Sequence, residues 1–237
     1  MTSQNQQRVL ITGASSGIGR ATALAFAKTG ANLALVSRSN DALTTLAQEA
    51  QSLGVEAKAY CIDLACIEQV AEKITEVGAV DVLVNNAGIG YTAELSETPL
   101  SEWQSVLDLN LTSPLQCIQA VLPSMRAKGR GSIVNVVSIG GRQVFSQWGA
   151  YCTSKFGLMA LTKTLALEER SHGIRVMAIC PGAVNTSLWD SPDVDADFER
   201  SAMLSSEDVA QAIVSAVQLP QHAVIEELVL MPNVGTF

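Results

Sequence analysis

The chain has 237 residues, of which 48% are hydrophobic and 16% charged, a composition that excludes intrinsic disorder and allows a large core without disulfide or metal support. Its longest uninterrupted apolar run, residues 176–180, is far shorter than the roughly 20 residues of a membrane-spanning helix. The formal net charge of −8 disfavours nucleic acid, so we expect neither a membrane nor a nucleic-acid partner.

Short apolar segments alternate with helix-like segments along the chain. The strand-like segments are residues 8–12, 32–36, 55–62, 81–85, 132–137, 174–180 and 226–231. The helix-like segments, with apolar residues three and four positions apart, are 17–29, 40–53, 65–77, 101–128, 151–170 and 206–218. Strands that are apolar almost throughout are typical of a parallel sheet buried on both faces. The alternation predicts one α/β domain over residues 1–237, a Rossmann-type, doubly wound, seven-stranded parallel sheet with helices on both faces.

A glycine-rich turn joins the first predicted strand to the first predicted helix, with the sequence TGASSGIGR at residues 12–20. Open parallel sheets bind ligands at the carboxyl ends of their strands, where a helix N-terminus offers free N–H groups to phosphate. Glycine permits the tight turn and the close approach of backbone to a pyrophosphate. The spacing is GxxxGxG instead of the usual GxGxxG, but its position between strand and helix predicts a dinucleotide site.

The end of the second predicted strand bears on which dinucleotide binds. Ser37 and Arg38 stand where NAD-binding proteins carry an acid for the ribose 2′-hydroxyl. A guanidinium and a hydroxyl suit a 2′-phosphate, which a carboxylate would repel, so we predict NADP(H). The alternative for Arg38 is a solvated surface arginine. Asp63, at the close of the third strand, either accepts from the adenine amino group or caps the following helix.

A second group of polar residues falls near the predicted ligand crevice. Tyr151 and Lys155 lie four residues apart at the start of a predicted helix, so their side chains point to one face. Ser138 ends the fifth strand, and Asn110 lies within the predicted helix 101–128. Taken singly, Tyr151 has an alternative as a core residue, Ser138 as a cap and Lys155 as a surface cation.

The joint pattern resembles the short-chain dehydrogenase/reductase superfamily. The matching segments are TGASSGIG at 12–19, NNAG at 85–88, Asn110, Ser138, YCTSK at 151–155 and PGAVNT at 181–186. They follow the family's order and extend from the first predicted strand to the sixth. The resemblance implies an oxidoreductase that transfers a hydride between NADP(H) and a carbonyl or alcohol substrate.

The resemblance also implies a role for each matching residue. Tyr151 is the catalytic acid/base, Lys155 binds the nicotinamide ribose and lowers the pKa of the tyrosine, and Ser138 holds the substrate oxygen. Asn110 keeps a proton-relay water in place. The implied cofactor-binding residues, besides Ser37, Arg38, Tyr151 and Lys155, are Gly13, Ser15, Ser16, Gly17, Ile18, Gly19, Asp63, Leu64, Asn86, Ala87, Gly88, Pro181, Gly182, Val184 and Thr186.

The substrate itself is less well marked. Phe145 and Trp148 directly precede Tyr151, and we predict that they line an apolar substrate pocket with Ser138 and Tyr151. The alternative is that these two aromatic residues form core or subunit contacts. In the family, an arginine after the second strand accompanies NADPH-linked reduction of carbonyls, so we predict a carbonyl or 3-oxo-acid reductase.

Two other functions stay open. A 3-oxoacyl-[acyl-carrier-protein] reductase would need a basic patch for its acidic carrier. Arg126, Lys128 and Arg130 would form that patch, but residues 186–237, with nine of the 23 acids and one base, oppose it. A catalytically idle dinucleotide sensor or assembly subunit is disfavoured by the intact Asn–Ser–Tyr–Lys set.

Residues 186–205 form the most irregular segment and are predicted to be a small substrate lid. Within 189–200 one base, Arg200, accompanies five acids, which are Asp190, Asp193, Asp195, Asp197 and Glu199. One base is too few to pair them, so we expect the acids to be solvated, the lid to be mobile and anionic substrates to be disfavoured. The alternative is a loop that only adds solubility.

Two predicted helices carry more apolar residues than one sheet face buries. On residues 103–128 these are Val106, Leu107, Leu111, Leu115, Ile118, Val121 and Leu122. On residues 151–169 they are Phe156, Leu158, Met159, Leu161, Leu165 and Leu167. A helix that is apolar on more than one side needs a second partner, so we predict a homodimer or homotetramer, as the resemblance also implies.

Cysteine usage and the N-terminus bear on metals and on compartment. The five cysteines are odd in number, include no CxxC pair and lack nearby histidines, so we expect free thiols and no metal site. The residues ahead of the first strand lack the apolar stretch of a secretion signal, so we expect a cytoplasmic location.

Overall fold

The seven strand-like segments form one parallel sheet in the computed structural model, which describes residues 6–196 and 199–234. The strands are β1 Arg8–Thr12, β2 Asn32–Ser37, β3 Ala57–Cys61, β4 Val82–Asn85, β5 Gly131–Val136, β6 Ile174–Pro181 and β7 Glu227–Leu230. Their order is β3-β2-β1-β4-β5-β6-β7, and every neighbouring pair is parallel. The predicted seven-stranded α/β sheet is therefore confirmed.

Helices cover both faces of this sheet. They are α1 Gly17–Lys28, α2 Asn40–Ser52, α3 Ile67–Val77, α4 Leu100–Leu107, α5 Ser113–Lys128, α6 Gly149–Glu169 and α7 Ser206–Val217. Buried residues of α1, α2 and α7 share one core cluster, and those of α3, α5 and α6 form clusters that lack these three helices. Within β1, Val9 and Ile11 belong to the first cluster and Leu10 to the second, as alternate side chains on a doubly covered strand must. No helix in the described part of the chain is both long and apolar enough to cross a membrane.

The strand order reverses beside β1. The chain moves outward from β1 through β2 and β3, and then returns to β4 on the other side of β1. The loops after β1 and β4 therefore lead away in opposite directions and leave a crevice at the carboxyl edge of the sheet. This is the edge at which the sequence places its candidate site residues.

The predicted helix 101–128 is not continuous. A π-helical turn, Asp108–Thr112, separates α4 from α5. The turn carries Asn110, whose buried side chain bonds to the backbone of Ile89 on the loop after β4. Such turns recur at functional sites. Apolar periodicity does not reveal this one, because a single wide turn barely alters the pattern.

Two other boundaries differ from prediction near the site. Helix α3 begins two residues later than expected, because Asp63 Oδ1 accepts from Ala65 N at 3.0 Å and holds the chain in a turn. Asp63 thus caps a turn instead of the helix. Helix α6 begins at Gly149, so Tyr151 and Lys155 occupy its first two turns.

Candidate active site

A cavity of about 710 Å³ opens along the carboxyl edge of the sheet. All of the predicted site residues line it except Gly19 and Asn110. Residues that were not among the predicted site residues also line it, including Ile89, Ile139, Leu188 and Trp189. One cavity therefore joins the predicted dinucleotide turn to the predicted catalytic residues.

The turn after β1 lets the backbone approach a bound group closely. Gly13 and Gly17 have φ of +64° and +50°, a left-handed conformation that favours glycine. A Cβ on Gly13 would lie 2.9 Å from Ala87 Cα, and one on Gly19 would lie 2.2 Å from Gly13 O. Helix α1 has no acid in its first turn, so its free N–H groups form a site for an anion. These features fit the pyrophosphate of a dinucleotide, with Gly19 acting through packing.

Asn86 ties this turn to β4. Its Nδ2 donates to Thr12 O at 3.0 Å and to Gly13 O at 3.3 Å. Thr12 Oγ1 accepts in return from the N–H groups of Asn86 at 3.0 Å and Ala87 at 3.1 Å. Thr12 was not among the predicted site residues, although its position as the last residue of the strand was an available signal. These bonds hold together the two loops that form the crevice.

The residues after β2 form the other end of the dinucleotide crevice. The Arg38 side chain is exposed, and no acid within residues 6–196 and 199–234 forms an ion pair with it. The buried Ser37 hydroxyl accepts from Ser39 N at 3.2 Å, and all three residues line the cavity. A guanidinium beside two hydroxyls is a donor set that fits a phosphate group.

Ser138 and Tyr151 bring two hydroxyls together in the cavity. Ser138 follows β5, Tyr151 lies in the first turn of α6, and both side chains line the cavity, where Ser138 lowers the pKa of Tyr151. Ser138 Oγ also accepts from Gly140 N at 3.0 Å. A Cβ on Gly140 would lie 3.0 Å from Tyr151 Cε1, so this glycine leaves room for the tyrosine ring. Two adjacent hydroxyls are able to donate to one oxygen atom of a ligand.

Lys155 is 5% exposed and lies one turn along α6 from Tyr151. Its Nζ donates to Val136 O at 3.1 Å and stands 5.7 Å from the centroid of the Tyr151 ring. A Cβ on Gly88 would lie 3.6 Å from this Nζ, so the loop after β4 passes close to the ammonium group. An ammonium has three donors, which leaves two for a ligand in the cavity.

Burial shifts the pKa of both residues toward the uncharged form. It raises the pKa of Tyr151 to about 12, against the opposing effect of the Ser138 hydrogen bond. It lowers the pKa of Lys155 to about 8. The resemblance implied that Lys155 lowers the pKa of Tyr151. In the polypeptide alone the net shift of the Tyr151 pKa is upward because burial dominates, and the role of Lys155 stays a prediction.

The buried ammonium leads to a prediction about stability. Below its folded pKa of about 8, Lys155 is charged in both the folded and the unfolded chain, and burying that charge lowers the free energy of unfolding. This destabilisation disappears as the pH rises toward ~10.4, the pKa of an unfolded lysine, because the folded chain then holds a neutral amine. Lys155→Met is therefore expected to raise Tm near neutral pH, and the gain should shrink above about pH 8. Thermal denaturation followed by circular dichroism across this pH range measures it. Lys163→Met, an exposed lysine on the same helix, is the control, and a pH-independent gain or a loss would contradict the pKa shift.

Asn110 does not line the cavity but holds two of its walls together. Its Oδ1 accepts from Ile89 N at 2.9 Å, and its Nδ2 donates to Ile89 O at 2.9 Å. The same Nδ2 reaches Ser154 Oγ at 3.1 Å, and Ser154 Oγ donates to Tyr151 O at 2.7 Å. The side chain therefore ties the loop after β4 to the first turn of α6.

Aromatic rings form one wall of the cavity. Trp148 meets Tyr151 edge to face, with centroids 5.3 Å apart, and meets Trp189 in the same way at 5.9 Å. Trp189 Nε1 donates to Val184 O at 2.8 Å, which anchors the indole to the segment after β6. Gln147 has φ of +67°, an uncommon left-handed conformation that precedes Trp148. Trp189 was not among the predicted site residues, and the signal for it was an aromatic residue just after segment 181–186.

The predicted lid carries fewer free acids than its sequence indicates. Arg200 forms an ion pair with Asp190 at 2.6 Å, although the Asp190 side chain remains 68% exposed, as expected for a solvated acid. Glu199 accepts from Ser201 Oγ at 2.7 Å and remains exposed. Asp197 lies outside the described residues.

The lid is also bonded to the loop after β4. Thr92 N donates to Asp193 O at 2.9 Å, and Thr92 Oγ1 accepts from Asp195 N at 2.7 Å. A parallel bridge between Val184 and Leu204 joins the two ends of the lid. The side chains of Asp193 and Asp195 are exposed, as predicted.

The cysteines take no visible part in the site. All five are free, as predicted, with Cys61 and Cys66 exposed and the other three buried. Within the described ranges, no three His, Cys, Asp or Glu side chains come together as a metal-binding group.

Comparison with known proteins agrees with this geometry. A sequence-family profile described as short chain dehydrogenase matches residues 7–195. The chain is 41% identical to the 3-oxoacyl-[acyl-carrier-protein] reductase FabG of Staphylococcus epidermidis over 187 residues, 77% of each protein. It is 36% identical to the glycine betaine reductase ATRR of Emericella nidulans over 94% of its own length but only 18% of that protein.

Among solved structures, the alcohol dehydrogenase of the archaeon Thermococcus sibiricus in complex with 5-hydroxy-NADP superposes with a TM-score of 0.88. The two proteins are 32% identical, and the match covers 97% of each chain. Fold, family profile and relatives therefore agree. The chain belongs to the short-chain dehydrogenase/reductase family of oxidoreductases, which bind nicotinamide dinucleotides.

Proposed function

We propose that the chain is an NADPH-dependent carbonyl reductase. The observation that carries the proposal is the meeting of the Ser138 and Tyr151 hydroxyls with the Lys155 ammonium in one cavity that starts at an anion-binding turn. The chemistry that a bound, reduced dinucleotide supplies is hydride donation to a carbonyl carbon. The residues of this chain bind and orient the reactants and move the proton.

Ser138 and Tyr151 act on the carbonyl oxygen. As hydride adds to the carbon, the C=O π bond breaks and negative charge grows on the oxygen, which the Ser138 hydroxyl stabilises by hydrogen bonding. Tyr151 then gives its proton to that oxygen, and the product is an alcohol. Because its pKa is about 12, the Tyr151 hydroxyl keeps its proton at neutral pH, as a proton donor must.

Lys155 and Asn110 support this step. The two free donors of the Lys155 ammonium bind the nicotinamide ribose, and its charge stabilises the phenolate that Tyr151 leaves behind. Asn110 positions Tyr151 through Ser154 and holds the loop after β4 in place. A proton-relay water would be kept beside Asn110. Segment 181–186 would hold the nicotinamide carboxamide.

Arg38 supports a preference for NADP(H) over NAD(H). Its guanidinium is exposed, free of acidic partners within the described residues, and close in sequence to the Ser37 and Ser39 hydroxyls. The Thermococcus sibiricus relative, solved with 5-hydroxy-NADP, supports the same cofactor class. Asp63 and Leu64 line the same cavity on the neighbouring loop and would hold the adenine.

Reduction of carrier-bound 3-oxoacyl groups is the second candidate, and its support is the 41% identity to FabG. The surface charges oppose it. Arg126 binds Glu169 through two contacts, and Lys128 pairs with Asp81 at 2.8 Å, so two of the three bases predicted for a carrier patch are already neutralised. Activity on acyl-carrier thioesters that falls steeply with salt would favour this candidate.

We expect assembly as a homodimer or homotetramer through α5 and α6. Ile118 and Leu158 of the predicted apolar set are buried within the subunit, but Leu115, Phe156 and Leu167 remain 39%, 41% and 71% exposed. Light scattering at micromolar concentration should give a multiple of the 25.0 kDa subunit mass. Phe156→Glu should lower that mass, whereas a monomer mass for the unchanged protein would contradict the expectation.

A screen of NADPH consumption tests the proposed function. The panel contains ketones, aldehydes, quinones, 3-oxo esters and acyl thioesters, each with NADPH and with NADH. The proposal predicts consumption with at least one neutral carbonyl and a clear excess with NADPH. Binding of NADPH without consumption on any carbonyl would favour an idle dinucleotide-binding protein instead.

A further inference from the structure

The part of the cavity that faces the reacting hydroxyls is apolar. Its apolar lining residues are Ile89, Ile139, Phe145, Trp148, Leu188 and Trp189, and the small polar residues Ser187 and Ser191 line the cavity beside the last two. Among the residues that line the cavity, those with a charged side chain at neutral pH are Arg38, Asp63 and Lys155. The first two belong to the loops after β2 and β3, and Lys155 is committed to Val136 O and, in the proposed function, to ribose.

Trp148 and Trp189 form a corner in this wall. Their ring planes are inclined at 68°, with centroids 5.9 Å apart. A flat ring stacked on one indole of such a corner meets the other with its edge, and both arrangements are favourable for aromatic pairs. A saturated ring gains burial there but not these contacts. The corner therefore discriminates in favour of aromatic groups.

The lid packs directly against this corner. A Cβ on Gly90 would lie 2.9 Å from Val194 Cγ2, 3.2 Å from Leu188 Cδ2 and 3.4 Å from Trp148 Cζ3. This glycine lets the loop after β4, the lid and the indole come together with no space for a further side chain. Thr92 bonds the same loop to the backbone of the lid. The apolar end is therefore closed over by aliphatic and aromatic groups.

Negative charge near this end comes from the lid. The Asp193 and Asp195 side chains are exposed beside the segment that closes the pocket. Of the two cationic side chains among the described lining residues, Arg38 lies on the loop after β2, and Lys155 is bonded to Val136 O and is assigned to ribose in the proposed function, so neither is assigned to a substrate carboxylate here. Burying an unpaired carboxylate is costly, so the substrate has to be uncharged.

We propose, resting on the proposed carbonyl reduction, that the substrate is an uncharged aryl ketone or aromatic aldehyde. Its ring packs in the corner between Trp148 and Trp189, and its carbonyl oxygen meets Ser138 and Tyr151. Hydride from reduced dinucleotide joins the carbonyl carbon, and the Tyr151 proton joins the oxygen. The product is an aryl-substituted alcohol, and the dinucleotide leaves oxidised.

Three probe ketones test the proposal. They are acetophenone, cyclohexyl methyl ketone, which has a saturated ring of the same size, and para-acetylbenzoate, which adds an anionic group. With NADPH, we expect kcat/KM for acetophenone to exceed that for each of the other two by about 10-fold or more, equivalent to about 1.4 kcal/mol. The inference would be overturned if kcat/KM for acetophenone were about equal to that for cyclohexyl methyl ketone, or if kcat/KM were higher for para-acetylbenzoate than for acetophenone.

Substitutions of the two tryptophans test whether they cause the preference for the aromatic ketone. Trp148→Leu and Trp189→Leu should bring the ratio for acetophenone over cyclohexyl methyl ketone close to one, mainly through KM for acetophenone. Trp148→Phe keeps an aromatic face and should retain most of the ratio. Trp103→Leu removes an indole from α4, outside the cavity lining, and should leave the ratio unchanged. A ratio that survives both leucine variants would contradict the assigned corner.

Calorimetric binding separates this inference from the proposed function. Both neutral ketones are titrated into the protein with NADP⁺, a mixture that does not turn over. Tighter binding of acetophenone without NADPH consumption on any ketone would support the aromatic pocket and reject the reductase. Consumption of NADPH with equal kcat/KM and equal binding for both ketones would support the reductase and reject the aromatic pocket.

Discussion

Tyr151→Phe is expected to lower kcat/KM for carbonyl reduction by about 100-fold or more. The substitution removes only the hydroxyl that donates the proton in the proposed reaction, beside Ser138 in the cavity. The ring and its edge-to-face contact with Trp148 remain, so Tm and NADPH binding should change little. Steady-state kinetics with NADPH, together with thermal denaturation and cofactor titration, measure the three quantities.

Tyr60→Phe provides a matched control for this substitution. Tyr60 accepts a hydrogen bond from Arg8 at 3.0 Å and does not line the cavity, so loss of its hydroxyl should leave turnover unchanged. Near-normal turnover in Tyr151→Phe would reject the assigned proton donor. A loss of turnover that is matched by lost NADPH binding would instead assign Tyr151 to cofactor binding.

Arg38→Asp is expected to reverse the cofactor preference. The change removes one or more charge-assisted bonds to the 2′-phosphate, which weakens NADPH affinity by about 10- to 100-fold at ~1.5–3 kcal/mol each. The new carboxylate repels that phosphate and is able to accept from the ribose hydroxyls of NADH. The ratio of kcat/KM for NADPH over NADH, measured with one carbonyl substrate, should therefore fall from above one to below one.

Arg130→Asp is the control for the change of charge. Arg130 is exposed and precedes β5, at the edge of the sheet away from the carboxyl ends of the strands. Its substitution alters net charge equally but should not change the cofactor ratio. Equal kcat/KM with both cofactors in the unchanged protein would remove the basis for assigning the 2′-phosphate to Arg38.

The sheet was predictable because its strands are apolar on both faces and lie between amphipathic helices. Val9, Leu10 and Ile11 are all fully buried, and such a strand has few places in a protein other than the interior of a parallel sheet. The π-helical turn at Asn110 was not predictable in the same way. It depends on hydrogen bonds to Ile89, a residue 21 positions away, which local periodicity does not register.

Some of the site residues were likewise predictable from the sequence, and others were not. Tyr151 and Lys155 were identifiable because a four-residue spacing on a helix fixes their common face, and the glycine turn because of its place between strand and helix. Trp189 was not identifiable from the sequence, because its place in the site depends on packing against Trp148 and on its hydrogen bond to Val184 O. The upward effect of burial on the Tyr151 pKa was likewise not readable from the sequence, since it depends on how much hydration the folded chain removes.

Transfer of deuterium from specifically deuterated NADPH tests the central claim most directly. Deuterium replaces both hydrogens on the nicotinamide carbon that donates hydride, so either face delivers the label. Acetophenone is one substrate and a short aliphatic ketone another, and mass spectrometry follows the alcohol. We predict an alcohol one mass unit heavier, formed in equal amount to the NADP⁺ produced, and almost none with Tyr151→Phe. Unlabelled alcohol, NADPH oxidation without alcohol, or full transfer in Tyr151→Phe would contradict the account.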